Sequence, residues 1–494
     1  MSERPKLFQP QRGGHGSQAG AASPPAAYWQ PPETLPSSPF WRFKEGGIFL
    51  GWCDDIPLGV KDDRHLVTIA GARAGKTSTL LIPNLLQYRG ATLVLDPKGE
   101  LASKTAQHRR DVLGHAVHVL DPWGAAKLPA DLKPASFNPL QELLASKPDD
   151  LADNAALMAE ALIQGSGHGS DHWESAAQDF VRAAILYLVI NYEKPTLDRL
   201  PIFLAECMAI NGKEHPDDDH FAQMESLRDD GRFPIETVEI VRNAGLGMIG
   251  TNDKERASIL STARNQLGFL ESRPLHSNLA ESTFKLEELK TGSPDGKPVT
   301  IYLCLPASRM GTHAKWLRLF LNMTIATLES VKAEPALPVL LMLEEFAALG
   351  HLRALEQAAA YMAGFGVKAW IVLQDLTQLK RHYKEGWETF IGNAGVLVSF
   401  GNNDQSSLDY MSKRLGECYL YITERGHIKS TDNGSGVREN FQKAPLLAPH
   451  EVAVEFGRRR MNAIGLPADG PPIAIERRHV DLKNKLGFLR SLQV

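Results

Sequence analysis

The stretch that most constrains this chain is His65 to Arg89, HLVTIAGARAGKTSTLLIPNLLQYR. An apolar strand (Leu66 to Ile69) runs into a loop of small residues, then Gly75-Lys76-Thr77, then an apolar-rich helix. This order builds a loop that holds nucleotide phosphates. Backbone N–H groups at the loop and helix start point at anionic oxygens, and the helix dipole adds positive potential there. Lys76 is placed to reach the outer phosphates, and Thr77 to put its hydroxyl on Mg2+. The expected nucleotide cradle is Ala70, Gly71, Ala72, Arg73, Ala74, Gly75, Lys76, Thr77 and Ser78, with ATP or GTP as the ligand. The general pattern begins with glycine where this chain has Ala70; Gly71 follows one step later.

The 494 residues are enough for about three domains. Hydrophobic residues make up 43%, which excludes a wholly disordered chain. Cys53, Cys207, Cys304 and Cys418 are too scattered for a zinc knuckle or redox pair and read as reduced, buried thiols. No apolar run approaches the roughly 20 residues that span a bilayer. The chain reads as a cytoplasmic protein that reaches a membrane only through a partner. A net charge of −4 gives no bulk signal for nucleic acid. The tail from Arg458 to Val494 is nevertheless basic, with eight Lys/Arg against Asp469, Glu476 and Asp481. Such a tail suits phosphates or acidic partners, and equally a solvated surface.

Composition and periodicity divide the chain into segments. Residues 1–46 are expected to be a disordered N-terminal segment, rich in Gly, Pro, Ser, Ala and Gln up to about Ser38. Residues 47–145 alternate strand and helix, which predicts α/β architecture with a mainly parallel sheet. Residues 146–290 read as an inserted all-α domain. There Trp173, Ala177, Phe180, Val181, Ala184, Ile185 and Leu188 recur at helical spacing behind Asp171, a cap with Glu174 as its box partner. Residues 291–457 return to α/β, with 421–442 as a flexible excursion, and 458–494 form the basic tail. His168, Asp171 and His172 read as a solvated loop before a helix rather than a metal cluster.

Ligands of open α/β sheets bind at the carboxyl ends of strands. Besides the phosphate loop, three such ends carry polar groups: Asp96, Glu344-Glu345 and Gln374-Asp375. Phosphoryl transfer needs a carboxylate in the metal shell, a group that polarises the attacking water and a sensor of the γ-phosphate. Glu344 takes the first role, Glu345 the second and Gln374 the third. Arg73, Arg353 and Arg381 lie near the right loops, with nothing to choose between a role across a subunit boundary and a surface charge.

Beyond these mechanics, the chain resembles the TraG-like coupling proteins of type IV secretion, the conjugative DNA-transfer ATPases. The matching segments are DDRHLVTIAGARAGKT (62–77), IPNLL (82–86), VLDPKGE (94–100), SFNPL (136–140), HWESAA (172–177), STARNQL (261–267), THAKWLRLFLN (312–322), LEEFAALGHL (343–352), GFGVKAWIVLQDLTQL (364–379), FGNND (400–404) and APLLAPHEV (444–452). The resemblance implies a RecA-like P-loop domain with an all-α insertion, assembled as a hexameric ring around DNA. It implies ATP hydrolysis with Mg2+, used to deliver DNA or a relaxase–DNA cargo to a transfer channel. By position, Lys76 and Thr77 match the Walker A pair, Glu344 and Glu345 the Walker B pair, and Gln374 the glutamine after the next strand. The family has Asp where this chain has Glu344. Familiar members also carry an N-terminal membrane anchor, so contact with the channel is expected through a separate membrane protein. Two other readings fit the residues: a soluble DNA-pumping ATPase of defence, repair or mobile-element maintenance, and a nucleotide-gated adaptor recruiting protein cargo.

Overall fold

In the computed structural model the described residues are 26–164, 171–209, 219–359, 361–427 and 435–492, with side chains at 171 and 421–441 set aside. Strands among them are β1 (Ile48–Cys53), β2 (Ile56–Val60), β3 (His65–Ala70), β4 (Thr92–Asp96), β5 (Ala116–Leu120), β6 (Val299–Cys304) and β7 (Val339–Leu343). They continue with β8 (Val367–Leu373), β9 (Ala394–Phe400), β10 (Glu417–His427), β11 (Ser435–Pro445), β12 (Asn462–Pro467) and β13 (Ile473–Glu476). The chain folds into two compact units. One takes the residues up to 90, 340–347 and 368 onward; the other takes 91–339 and 348–367.

In the first unit the strands lie in the order β2-β1-β13-β12-β9-β3-β8-β7. β3 pairs in parallel with β8 and with β9. All three are buried along their whole length, which is why they read as unbroken apolar runs without alternation. Beyond β9 the sheet turns antiparallel through β12, β13, β1 and β2. Register matters for function here. Ile69 sits opposite Leu373 on β8 and opposite Ser399 on β9, so the residues that follow these strands emerge at one level.

The second unit carries β4-β6-β5, all parallel. Every regular element described between Pro139 and Thr291 is helical. The longest helix there, Asp171–Asn191, buries Ala177, Phe180, Val181, Ala184, Ile185 and Leu188 as its spacing predicts. The Asp171 side chain, and with it the expected cap, lies outside the described residues, as does His168. The four cysteines are buried and unpaired by disulfides.

Several expectations need correction. Residues 26–46 are packed: Leu35 and Trp29 are buried, and the Trp29 ring stacks on Phe456 at 5.6 Å. A few aromatic and aliphatic anchors outweigh the polar composition around them. Residues 1–25 lie outside the description. The segment 458–494 is no separate basic tail, since it supplies β12 and β13 to the sheet and a helix, Lys485–Ser491, whose Phe488 packs edge-on against Phe49 at 5.7 Å. Glu417–His427 and Ser435–Pro445 pair as an antiparallel ladder, β10 with β11, instead of an irregular excursion. In the sequence of these two stretches polar residues fall at both odd and even positions, which erases the alternation that marks a half-buried strand. The helical stretch is also not compact alone: it groups with β4, β5 and β6 in one unit.

Candidate active site

The phosphate loop begins where β3 ends. Ala70 is the last, fully buried residue of that strand, and the special backbone position falls on Gly71. A Cβ on Gly71 would overlap the carbonyl oxygen of Gly401, so the chain can pass there only as glycine. This explains the displaced glycine in the motif. Ala72 and Arg73 form the exposed crest, with Arg73 at φ 55°, and Gly75 turns the chain back at φ 93°. Lys76 is 8% exposed, and Thr77–Leu81 form one wide turn that opens the helix Ile82–Gln87. Asn84 locks that helix to β1, accepting from Phe49 N and donating to Phe49 O, each at 2.8 Å.

The acid pair emerges from β7 into the same place. Thr77 Oγ1 donates to Glu344 Oε1 at 3.0 Å. Lys76 Nζ lies 3.3 Å from Glu345 Oε1. Gln374, directly after β8, donates its Nε2 to both oxygens of Glu345, at 2.9 and 2.7 Å. Thus Lys76, Thr77, Glu344, Glu345 and Gln374 form one contiguous cluster at the ends of β3, β7 and β8. Glu344 is 5% exposed, a buried carboxylate that a hydroxyl helps to satisfy. Glu345 sits at φ 56°, a left-handed conformation that costs a non-glycine residue of order 1 kcal/mol or more and turns its carboxylate toward Lys76. Phe346 anchors the turn, buried against Tyr383 at 5.8 Å and Phe390 at 5.7 Å.

Other candidates do different work. Asp375 caps the helix Leu376–Tyr383 by accepting from Gln378 N, while Gln378 Oε1 accepts from Gln374 N; this fixes the Gln374 backbone without adding an acid to the cluster. Asp96, in the second unit, is fully buried and accepts from Glu100 N at 3.0 Å and Ala102 N at 2.8 Å, closing the turn into the helix Glu100–Asp111. Burial pushes its carboxyl up to about 6. Arg353 and Arg381 are exposed on short helices. His172 is exposed, 3.9 Å from Glu255, and no metal-holding group of three ligands occurs among the described residues.

Two positions that brace the end of β3 and its loop carry no motif of their own. Asn402, in FGNND, donates to Ile69 O at 3.2 Å and to Ser399 Oγ at 2.7 Å, tying the ends of β3 and β9 together. Arg477, lost in a basic run, is 1% exposed, stacks over Phe400 at 3.8 Å and donates to Ala74 O at 2.7 Å. Burial draws its guanidinium down to about 10. The polar strand end in FGNND was the available signal for Asn402. Arg477 had none, because its partner is about 400 residues away.

A parallel core with a phosphate loop, an acid pair and a polar residue at adjacent strand ends defines the P-loop α/β class. Within it, the chain belongs to the type IV secretory system conjugative DNA transfer family, whose model matches residues 35–473. It is 27% identical over 431 residues to conjugal transfer protein TraG of Escherichia coli, covering 82% of this chain and 65% of that one. It is likewise 27% identical over 418 residues to VirD4 of Rhizobium radiobacter, covering 83% of this chain and 56% of that one. The chain thus spans less than two thirds of the length of these curated relatives. Among solved structures, the conjugative coupling protein TrwBΔN70 superposes with a TM-score of 0.66 at 16% identity, over 95% of this chain and 97% of that one. TrwB in complex with ADP and Mg2+ gives 0.63 at 16% identity, over 94% and 97%. The fold is therefore that of TrwB. No helix among the described residues is long and apolar enough to cross a membrane.

Proposed function

We propose that this chain is the ATP-hydrolysing motor of a conjugative coupling protein, which moves DNA or a relaxase–DNA cargo to a type IV secretion channel. One observation carries the reading: Lys76, Thr77, Glu344, Glu345 and Gln374 converge at one strand-end site. The donor set also suits magnesium. A hydroxyl and a carboxylate oxygen 3.0 Å apart are hard oxygen ligands of the kind that ion takes beside phosphates and water. Thr77 and Glu344 would hold it, and its charge would neutralise the phosphates during transfer. Glu345 is the base that orients and polarises the attacking water, and Gln374 holds that carboxylate in place through its two hydrogen bonds. Lys76, paired with Glu345 here, exchanges that carboxylate for the outer phosphates of ATP. The longer side chain at Glu344 sets the metal-shell carboxylate one methylene further along than the family's aspartate does.

Family membership supports DNA as the polymer moved, a hexameric ring as the working assembly and the cytoplasmic face of the inner membrane as the place of work. The deciding experiment measures ATP turnover of the purified chain with and without single- and double-stranded DNA, beside a Glu345→Gln variant. Turnover should rise with DNA. The variant should keep ATP binding and lose on the order of 10²-fold or more in rate. Magnesium-ATP that is bound but never turned over, with or without DNA, would replace the motor by a nucleotide-gated adaptor. Turnover with capture of nucleases or replication proteins, and no channel subunit or relaxase, would make it a pump outside secretion.

A further inference from the structure

We infer that the segment Arg477–Val480, which leaves β13, is part of the nucleotide site, and that Arg477 is the positioning residue of its phosphate loop; this rests on the nucleotide-binding reading above. The segment runs across the loop and the first turn of the helix behind it. Arg477 Nη1 donates to Ala74 O at 2.7 Å, and its Nε donates to Asn462 O at 3.2 Å. Its guanidinium lies flat over Phe400. His479 Nδ1 is 2.8 Å from Ser78 Oγ, and Val480 N donates to Ser78 O at 3.3 Å. A Cβ built on Gly75 would meet His479 Cε1 at 3.3 Å and Arg477 Nη1 at 3.6 Å. The glycine before Lys76 is therefore walled by these two side chains.

The physical consequence follows from the planar trans peptide. In the Ala74–Gly75 unit the C=O and the N–H point in opposite directions. Holding the Ala74 carbonyl on a buried guanidinium therefore aims the Gly75 N–H to the opposite side, as an amide-lined phosphate cradle requires. Gly75 stands at φ 93°, where the backbone needs such an external clamp to keep one orientation. Arg477 Nη2 is also buried with no hydrogen-bond partner. A buried cation at this place adds positive potential behind the loop that holds the phosphates. Lysine cannot reproduce the arrangement, since it has neither the planar face for Phe400 nor the fork that spans Ala74 and Asn462.

The test uses the full chain and a fluorescent ATP analogue with Mg2+, comparing wild type, Arg477→Lys, His479→Ala and, as a control from the same basic run, the exposed Arg459→Gln. Arg477→Lys should weaken nucleotide binding about tenfold and raise KM with kcat largely kept; a tenfold loss corresponds to about 1.4 kcal/mol. Its melting temperature without nucleotide should fall by a few degrees with the lost stack and fork, and the rise that ATP produces should shrink in addition. His479→Ala, at an exposed position, should lose several-fold in affinity, and Arg459→Gln should match wild type. If Arg477→Lys fails to fold, His479→Ala alone decides. Wild-type affinity in both strap variants, or an equal loss in Arg459→Gln, overturns the inference. Absence of nucleotide binding in the wild type overturns the underlying reading instead.

Discussion

Each of the two units buries a cationic side chain at strand level, and the two serve different ends. In the second unit, Arg109 is fully buried and donates to Thr300 Oγ1 at 2.7 Å and Thr92 Oγ1 at 3.2 Å, with His115 Nδ1 3.2 Å away. Those partners lie on β6, on β4 and just before β5, so the guanidinium stitches neighbouring strands. In the first unit, Lys76 is bound sideways to an acid that is itself held by Gln374, in a cluster that includes left-handed Glu345. Burial of charge alone therefore does not mark a site. Convergence of mobile-proton groups at the carboxyl ends of parallel strands, with strained backbone beside them, does.

Three measurements would break or sharpen this contrast. The largest effect is expected from Lys76→Ala, which should reduce affinity for Mg-ATP on the order of 10²-fold while leaving the melting temperature nearly unchanged. Nucleotide affinity equal to wild type in that variant would remove Lys76 from the site. Arg109→Met should do the opposite. Breaking the buried network should lower unfolding free energy by about 3 kcal/mol in a denaturant titration, with nucleotide affinity intact in the folded fraction. A weakened affinity there would make Arg109 more than a stitch.

The smallest effect concerns Glu142 in the second unit, which accepts from Leu286 N and whose carboxyl burial raises from 4.5 to about 7. A raised carboxyl binds its proton more tightly when folded. Its contribution is fully present below pH 4.5 and is lost as pH rises through 7. Glu142→Gln mimics the protonated form and keeps an acceptor for Leu286. It should be more stable than wild type at pH 8, by about 1–3 kcal/mol, and indistinguishable from it near pH 4. An equal difference at both pH values would rule out titration as the cause.

Much of this protein could be read from local pattern. The strand, loop and helix around Lys76 and the acids after β7 announced themselves through apolar runs that end in polar residues. Those signals depend on the backbone's own period and on strand-end chemistry, which act over a few residues. The stretches that form β10 and β11, with polar residues at both odd and even positions, carried no such period, and the β12–β13 hairpin was hidden in a run judged by its charge.

What the amino-acid sequence determined by itself was the class of fold and the chemical parts of the site, because each part is a short motif with its own physical reason. Tertiary structure alone decided which parts meet. Registration of Ile69 against Leu373 sets Gln374 level with the phosphate loop, where it meets Glu345, and the antiparallel return of β12 and β13 carries Arg477 onto a carbonyl of that loop. A hydrogen bond between residues 403 apart leaves no trace in local periodicity, since it exists only once the chain has closed the sheet.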